Sequence, residues 1–273
     1  MDGPADAGAA GQVDAGDSGP AGAVIARRAE AGHYVLSALF SAILGTLAFA
    51  FAILAYAYLM LPDVRPLKTS NPSTTAFIEL RADEARAKGH QPHRVQRWVS
   101  YGRVSPDLKR AVLVAEDDAF WQHEGVDLGQ LQESIEADWT RGRFVRGGST
   151  ITQQLAKNLY LSPSKTPLRK LQELIIARRL EAELKKSRIL ELYLNVIEWG
   201  DGVYGVEAAA QTYFHAPAAA LGPAESALLA AAIASPRLHN PARPNARLIR
   251  RQQLILRRMG AVIPPQESAQ LER

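Results

Sequence analysis

From Tyr34 to Leu61 the chain carries no charged residue and is dominated by Leu, Ala, Phe and Ile. A run this long exceeds the roughly 20 residues a helix needs to cross the hydrocarbon core of a bilayer. Tyr34, Tyr56 and Tyr58 sit near its ends, where aromatic rings anchor at the interface. A cleavable export signal is shorter, starts nearer residue 1 and ends at small residues, whereas this run ends in Tyr58-Leu59-Met60-Leu61. The run therefore reads as an uncleaved transmembrane helix. Arg27 and Arg28 precede it and Arg65 and Lys68 follow it, so flanking charge barely sets the orientation.

The span divides the chain. Residues 1–26 are built from Ala, Gly, Asp, Ser and Pro with almost no large apolar groups, so burial cannot offset their ordering entropy. The expected organisation is a disordered cytoplasmic tail over 1–33, the span over 34–61, a Pro-punctuated linker over 62–94 and one domain over 95–273. Helix signals dominate that domain. Ser105-Pro106 and Thr166-Pro167 are cap-plus-proline starts. Thr150 and Gln153 have capping-box spacing, and Asp127 precedes a one-faced run of Leu128, Leu131, Ile135 and Trp139. In the helix after Thr166, Leu171, Leu174, Ile175 and Leu184 are expected to face inward. Alanine-rich segments near 206–214 and 223–234 and a basic amphipathic helix near 244–259 follow. No series of alternating β runs competes, so the fold class is mainly α.

The net charge of +4 favours an anionic partner: nucleic acid, a membrane face or a phosphorylated substrate. The absence of cysteine excludes a disulfide framework, a thiolate metal site and a cysteine nucleophile together. The six histidines are scattered, and the His90/His93 spacing in a polar loop is incidental.

Four polar clusters carry chemistry. Glu116-Asp117-Asp118 follows an apolar run and precedes Phe120, Trp121 and His123. Mutual repulsion and partial desolvation raise a carboxylate pKa, which suits a general base; a solvated acidic helix end fits the same stretch. Gly147-Gly148-Ser149-Thr150-Ile151-Thr152-Gln153-Gln154, continuing to Lys157-Asn158, offers free backbone N–H groups at a helix start, which suits a phosphate. A flexible, well-capped loop explains the glycines but not the uncharged hydrogen-bonding run after them. Arg169 and Glu173, four apart, share one helical face, as a site or as a surface ion pair. Glu191 and Asn195 interrupt an apolar helix, either as buried support for a site or as ordinary amphipathicity.

Together, EDxxFxxH, RGGSTITQQxxKN, RKxxE and ILExYLN, in this order, resemble the peptidoglycan glycosyltransferase family. That module occurs alone in monofunctional transglycosylases and fused in class A penicillin-binding proteins. The resemblance spans roughly residues 95 to 260 and continues through Gly200–Phe214, Pro223-Ala224-Glu225 and Ser235 to Pro241. One departure is Lys185-Lys186, where the family has Ser-Lys; the lysine is retained. The layout resembles the monofunctional form. The resemblance implies a lysozyme-like, mainly α domain that polymerises lipid II. It makes Glu116 the base on the acceptor GlcNAc 4-hydroxyl and Glu173 the second essential carboxylate. Lys157 and Arg169 would neutralise the departing pyrophosphate, while Asp117, Phe120, His123, Ser149, Thr150, Gln154 and Asn158 line or brace the cleft. A Mg²⁺ or Mn²⁺ ion, with Glu173 as ligand, is the one cofactor it admits; no organic cofactor is expected. Expected partners are lipid II, the nascent glycan, the membrane and other cell-wall synthesis proteins, not nucleic acid. The expected location is the bacterial inner membrane, with a cytoplasmic N-terminus and a periplasmic domain.

Two motifs are decoys. Gly200-Asp201-Gly202-Val203-Tyr204-Gly205 is a literal GxGxxG, but helical periodicity rather than a βαβ unit precedes it. Ser162-Pro163-Ser164-Lys165 is a formal SxxK with no SDN-like or KTG partner. The rival readings are a membrane-anchored, lysozyme-like lytic glycosidase, which also uses two carboxylates, and a basic tethered scaffold. The first has no need of cations aimed at a pyrophosphate. The second leaves Glu116 and Glu173 without a role.

Overall fold

The computed structural model describes residues 20–59, 61–127, 129, 148–164 and 166–260. Residues 1–19, the expected helix positions Leu128, Leu131, Ile135 and Trp139, and Gly147 and Lys165 lie outside them. The chain forms two compact units, Met1–Leu59 and Met60–Arg273.

In the first unit, α1 runs from Pro20 to Leu59. It contains Leu36–Tyr56, one helical segment long and apolar enough to span a bilayer, with none of its residues buried by protein. Phe40 and Phe51 are 68% and 73% exposed, which suits a lipid environment. The helix starts at Pro20, so residues 20–33 correct the reading of a disordered tail. Ala21, Ala23, Ala26, Ala29 and Ala31 give this stretch strong intrinsic helicity.

The second unit is helical, with a small sheet. Its described elements are α2 (Ala76–Ala87), β1 (Val95–Gln96), α3 (Pro106–Glu116), α4 (Ile151–Tyr160), α5 (Pro167–Glu183), α6 (Lys186–Val196), β2 (Glu198–Gly200), β3 (Val203–Tyr204), α7 (Val206–Phe214), α8 (Pro223–Ala232) and α9 (Ala246–Met259). One core draws on all of them except α2. Leu108, Val112 and Leu113 of α3, Ile151 and Leu155 of α4, Ile176 and Leu180 of α5 and Ile189 to Leu194 of α6 contribute to it. Helix α3 packs on α8 and α9, while α4 packs on α2, α5 and α6. The segment expected as a linker is packed: Val64 and Leu67 belong to this core, Ile78 is buried as well, and Thr75 caps α2 by accepting from the Ile78 amide at 3.1 Å. Prolines set the local backbone there, but apolar residues between them decide burial.

Of the expected starts, Thr166 caps its helix by accepting from the Arg169 amide at 3.2 Å, while Ser105 and the Thr150–Gln153 pair depart from the expected pattern. Ser105 makes no side-chain cap bond; its hydroxyl donates to the Leu221 carbonyl at 2.7 Å. Thr150 accepts from the Gln153 amide at 3.2 Å, but Gln153 donates to the Gly125 carbonyl rather than back to the cap. On α5 the buried stripe is Glu173, Ile176, Ala177 and Leu180, rotated from the expected Leu171, Leu174 and Ile175, which are only half-buried.

The sheet has strand order β1-β3-β2, with β1 parallel and β2 antiparallel to β3. The glycine motif forms the tight β2–β3 hairpin. Gly205 has φ +79°, and a Cβ there would come within 2.8 Å of the Asn195 carbonyl oxygen. Glycine is required for turn and close approach rather than for a dinucleotide. Ser162 and Ser164 are exposed in the α4–α5 loop, their hydroxyls 3.0 Å apart.

Candidate active site

The apolar face of α3 drives into the core, and the helix ends at Glu116 where the chain must leave it. Three elements converge on this carboxyl. Gln154 Nε2 from α4 donates to Oε2 at 3.0 Å, and Arg251 Nη2 from α9 approaches Oε1 at 3.5 Å. The third is α6, whose wholly buried Tyr193 donates from its hydroxyl to Gln154 Oε1 at 2.9 Å. That bond holds the amide with its NH₂ toward Glu116. Burial pushes the Glu116 carboxyl above the usual range, and Asp117 adds to the push. Gln154, Arg251 and Lys157 oppose it. The Tyr193 phenol is raised well above its ordinary range by burial, and so stays a donor.

Asp117 faces the other way. It is 3% exposed, and its Oδ2 accepts from the Ile151 amide at 2.9 Å while Oδ1 lies 2.9 Å from His123 Nε2. The Gly125 amide donates to His123 Nδ1 at 3.2 Å, so the Nε2 position carries the hydrogen given to Asp117. Asp117 thus supplies the negative charge at the N-terminus of α4. This corrects the expectation that the amides at this helix start are free for a phosphate: those of Ile151 and Gln153 are taken by Asp117 and Thr150. The Thr150 hydroxyl also donates to the Gly125 carbonyl at 2.7 Å. Phe120 is completely buried, packed edge-on to Trp121 with ring centroids 5.1 Å apart, and the Lys186 ammonium lies over its ring, 4.3 Å from the centroid. Asp117, Phe120, His123 and Thr150 therefore brace the site from behind.

A second carboxylate lies among cations. Glu173 is 3% exposed; Arg169 Nη1 donates to its Oε2 at 2.6 Å and Lys170 Nζ to its Oε1. Lys170 also donates to Ser149 Oγ at 3.1 Å and Gln153 Oε1 at 3.2 Å, tying α5 to α4. The Nε of Arg169 is buried without a partner among the described residues. Lys157, half-buried on α4, makes no ion pair among the described residues. Burial pushes its ammonium down, with help from Arg169 and Lys170, while Glu173 and Glu116 push it up. Lys157 is thus within electrostatic range of both carboxylates. Asn158 donates to the Gln154 carbonyl at 2.8 Å and steadies the same helix.

The fourth cluster is structural. Asn195 is wholly buried, bonds both the amide and the carbonyl of Val99 at 2.8 Å, and donates to the Glu191 carbonyl at 2.8 Å; Glu191 accepts from the Tyr101 amide at 2.8 Å. These bonds pin residues 99–101 to α6.

Lys170 and Tyr193 lie inside quoted motifs, yet sequence gave them no role; their rotational position on α5 and α6 decides it. Arg251 stands 135 positions from Glu116, and no local signal points to it.

The chain matches a family model described as Transglycosylase over residues 84–260, a range that contains Glu116, Glu173 and Arg251. A biosynthetic peptidoglycan transglycosylase of Laribacter hongkongensis is 47% identical over 198 residues, covering 72% of this chain and 87% of that protein. One from Aromatoleum aromaticum is 54% identical over 167 residues, 61% of this chain and 73% of its own length. One from Dechloromonas aromatica is 48% identical over 195 residues, 71% and 84%.

Proposed function

Because the chain belongs to the transglycosylase family and is a peptidoglycan glycosyltransferase, we propose that it polymerises lipid II with Glu116 as general base. In this reading Glu116 removes the proton of the acceptor GlcNAc 4-hydroxyl. The freed oxygen lone pair forms the new bond to C1 of the donor's MurNAc. The bond from C1 to the pyrophosphate oxygen breaks, and its electron pair leaves with undecaprenyl pyrophosphate, inverting the anomeric centre. The growing chain is the donor.

The observation that carries the proposal is a part-buried carboxyl of raised pKa, oriented by Gln154, and a second carboxylate paired with Arg169 and Lys170, with Lys157 in electrostatic range of both. A base works best with a pKa raised toward the working pH. Cations placed before the reaction stabilise the charge that develops on the leaving group. A glycosidase acting on a neutral glycosidic leaving group has no use for three of them.

The donor set around Glu173 does not offer a ready metal site. Both its oxygens are engaged by cations, and no three His, Cys, Asp or Glu side chains gather to hold an ion among the described residues. Mg²⁺ or Mn²⁺ bound at Glu173 would have to displace Arg169 or Lys170. Neutralisation of the leaving group is assigned to Lys157, Arg169 and Lys170.

Since the donor stays lipid-linked, the N-terminal span places enzyme and substrate on one surface. The chemistry assigns the span to the inner membrane, residues 1–33 to the cytoplasm and the catalytic unit to the periplasmic side. The test is purified full-length chain with lipid II, with and without EDTA. Elongated glycan supports the proposal. Cleavage of finished peptidoglycan without polymer would replace it with a lytic glycosidase.

A further inference from the structure

The basic helix α9 has a second face that the reaction does not use. Its sequence, ARLIRRQQLILRRM, has five arginines and no acidic residue. Leu248, Ile255 and Met259 turn into the core, where α9 packs on α8 and α3. Arg251 and Arg258 lie at the edge of that buried face and reach Glu116 at 3.5 Å and Asp118 at 2.6 Å. Arg247, Arg250, Leu254 and Arg257 are all exposed, and their 3-4-3 spacing lines them along the opposite face. Arg243 in the preceding loop is exposed as well. Among the described residues none of these four arginines has an ion-pair partner. Leu254 stands half-exposed between Arg250 and Arg257, and Leu238 is 81% exposed. Nothing in folding calls for this stripe: repelling charges along one face are mildly unfavourable to a helix.

We propose that the Arg247-Arg250-Leu254-Arg257 face of α9 docks on the anionic surface of a lipid bilayer. The charge is of the right sign and unneutralised among the described residues, arginine stems can lie along an interface while their heads meet lipid phosphates, and Leu254 offers a shallow apolar contact. The candidate span of α1 keeps this chain at a bilayer, so the anionic surface it meets most often is lipid. Because the edge of the same helix touches Glu116 and Asp118, docking would also steady the wall of the site that α9 forms. The inference does not depend on which reaction the site performs.

The test is backbone hydrogen exchange of residues 246–259 in the full-length chain, reconstituted in vesicles of phosphatidylcholine alone or with about 30% phosphatidylglycerol. The expected result is slower exchange of this helix in the anionic vesicles only, abolished at about 1 M salt, where screening acts within about 3 Å. The R247Q/R250Q/R257Q variant should lose the protection, and R247K/R250K/R257K should keep it. Unchanged exchange in α3 shows that each variant is folded. Equal protection in both lipids, or protection that survives the glutamine changes, overturns the proposal. Protection that appears only after glycan has been made also overturns it, assigning the face to the polymer.

Discussion

Replacing Asp117 separates bracing from substrate contact. The carboxylate accepts from the Ile151 amide and pairs with His123, both at 2.9 Å, in a position 3% exposed. A hydrogen bond to a charged group contributes about 1.5–3 kcal/mol net, so the two together contribute about 3–6 kcal/mol. Removing a buried charge returns part of its desolvation cost, which brings the expected loss for Asp117→Ala to about 3–4 kcal/mol. In a unit of this size each kcal/mol lowers the melting temperature by about 2–4 °C, giving a drop of about 6–16 °C. Asp117→Asn keeps one acceptor but turns NH₂ toward the other donor, and should lose about half as much. Activity should fall further than stability, because freeing the start of α4 moves Gln154 relative to Glu116. The assay is calorimetric unfolding beside lipid II polymerisation below the melting transition. A variant that melts with the wild type but loses activity would refute bracing and make Asp117 a substrate ligand.

Glu116→Gln should reduce polymerisation by about 10²–10⁴-fold, the usual contribution of a general base. Its folding should be unharmed or improved: burial raises the folded-state pKa above the unfolded one, so the stability linked to this proton is full at low pH and lost as pH rises through the folded value. Thermal melts of both proteins near neutral pH check this. In a pH–rate profile the acid limb should lie above the ordinary carboxylate range, because activity needs Glu116 ionised, and the alkaline limb below the ordinary lysine range, because burial lowers Lys157. An acid limb in the ordinary carboxylate range would remove Glu116 as the base. Asn195→Leu leaves the buried Val99 amide and carbonyl without partners and should cost about 2–4 kcal/mol in urea unfolding; a loss below about 0.5 kcal/mol would show that water replaces both bonds.

The span, the helical class and the chemical clusters were legible because each is written in neighbouring residues. An uncharged run reports its own solvent, Thr150 and Thr166 cap the helices they precede, and Arg169 meets Glu173 because four residues make about one turn. Local reading failed where burial depends on distant partners. Glu173 faces the core instead of Leu171 because Lys170 and Arg169 neutralise it there, and Ser149 just before α4 and Gln153 within it hold Lys170. The segment after Leu61 looked like a linker because prolines dominate its pattern, while its Val64 and Leu67 join a core drawn from residues far along the chain.

Sequence by itself determined which groups are present and which neighbours share a helical face: the base candidate, the cations and the membrane-length run. Tertiary structure alone decided what each group faces. It turned Asp117 from the cleft to the start of α4, set Tyr193 behind Gln154, and brought Arg251 to Glu116 across 135 positions. The physical reason is that dihedral and capping preferences act within a turn or two. Desolvation and charge pairing depend on which surfaces the whole core brings together.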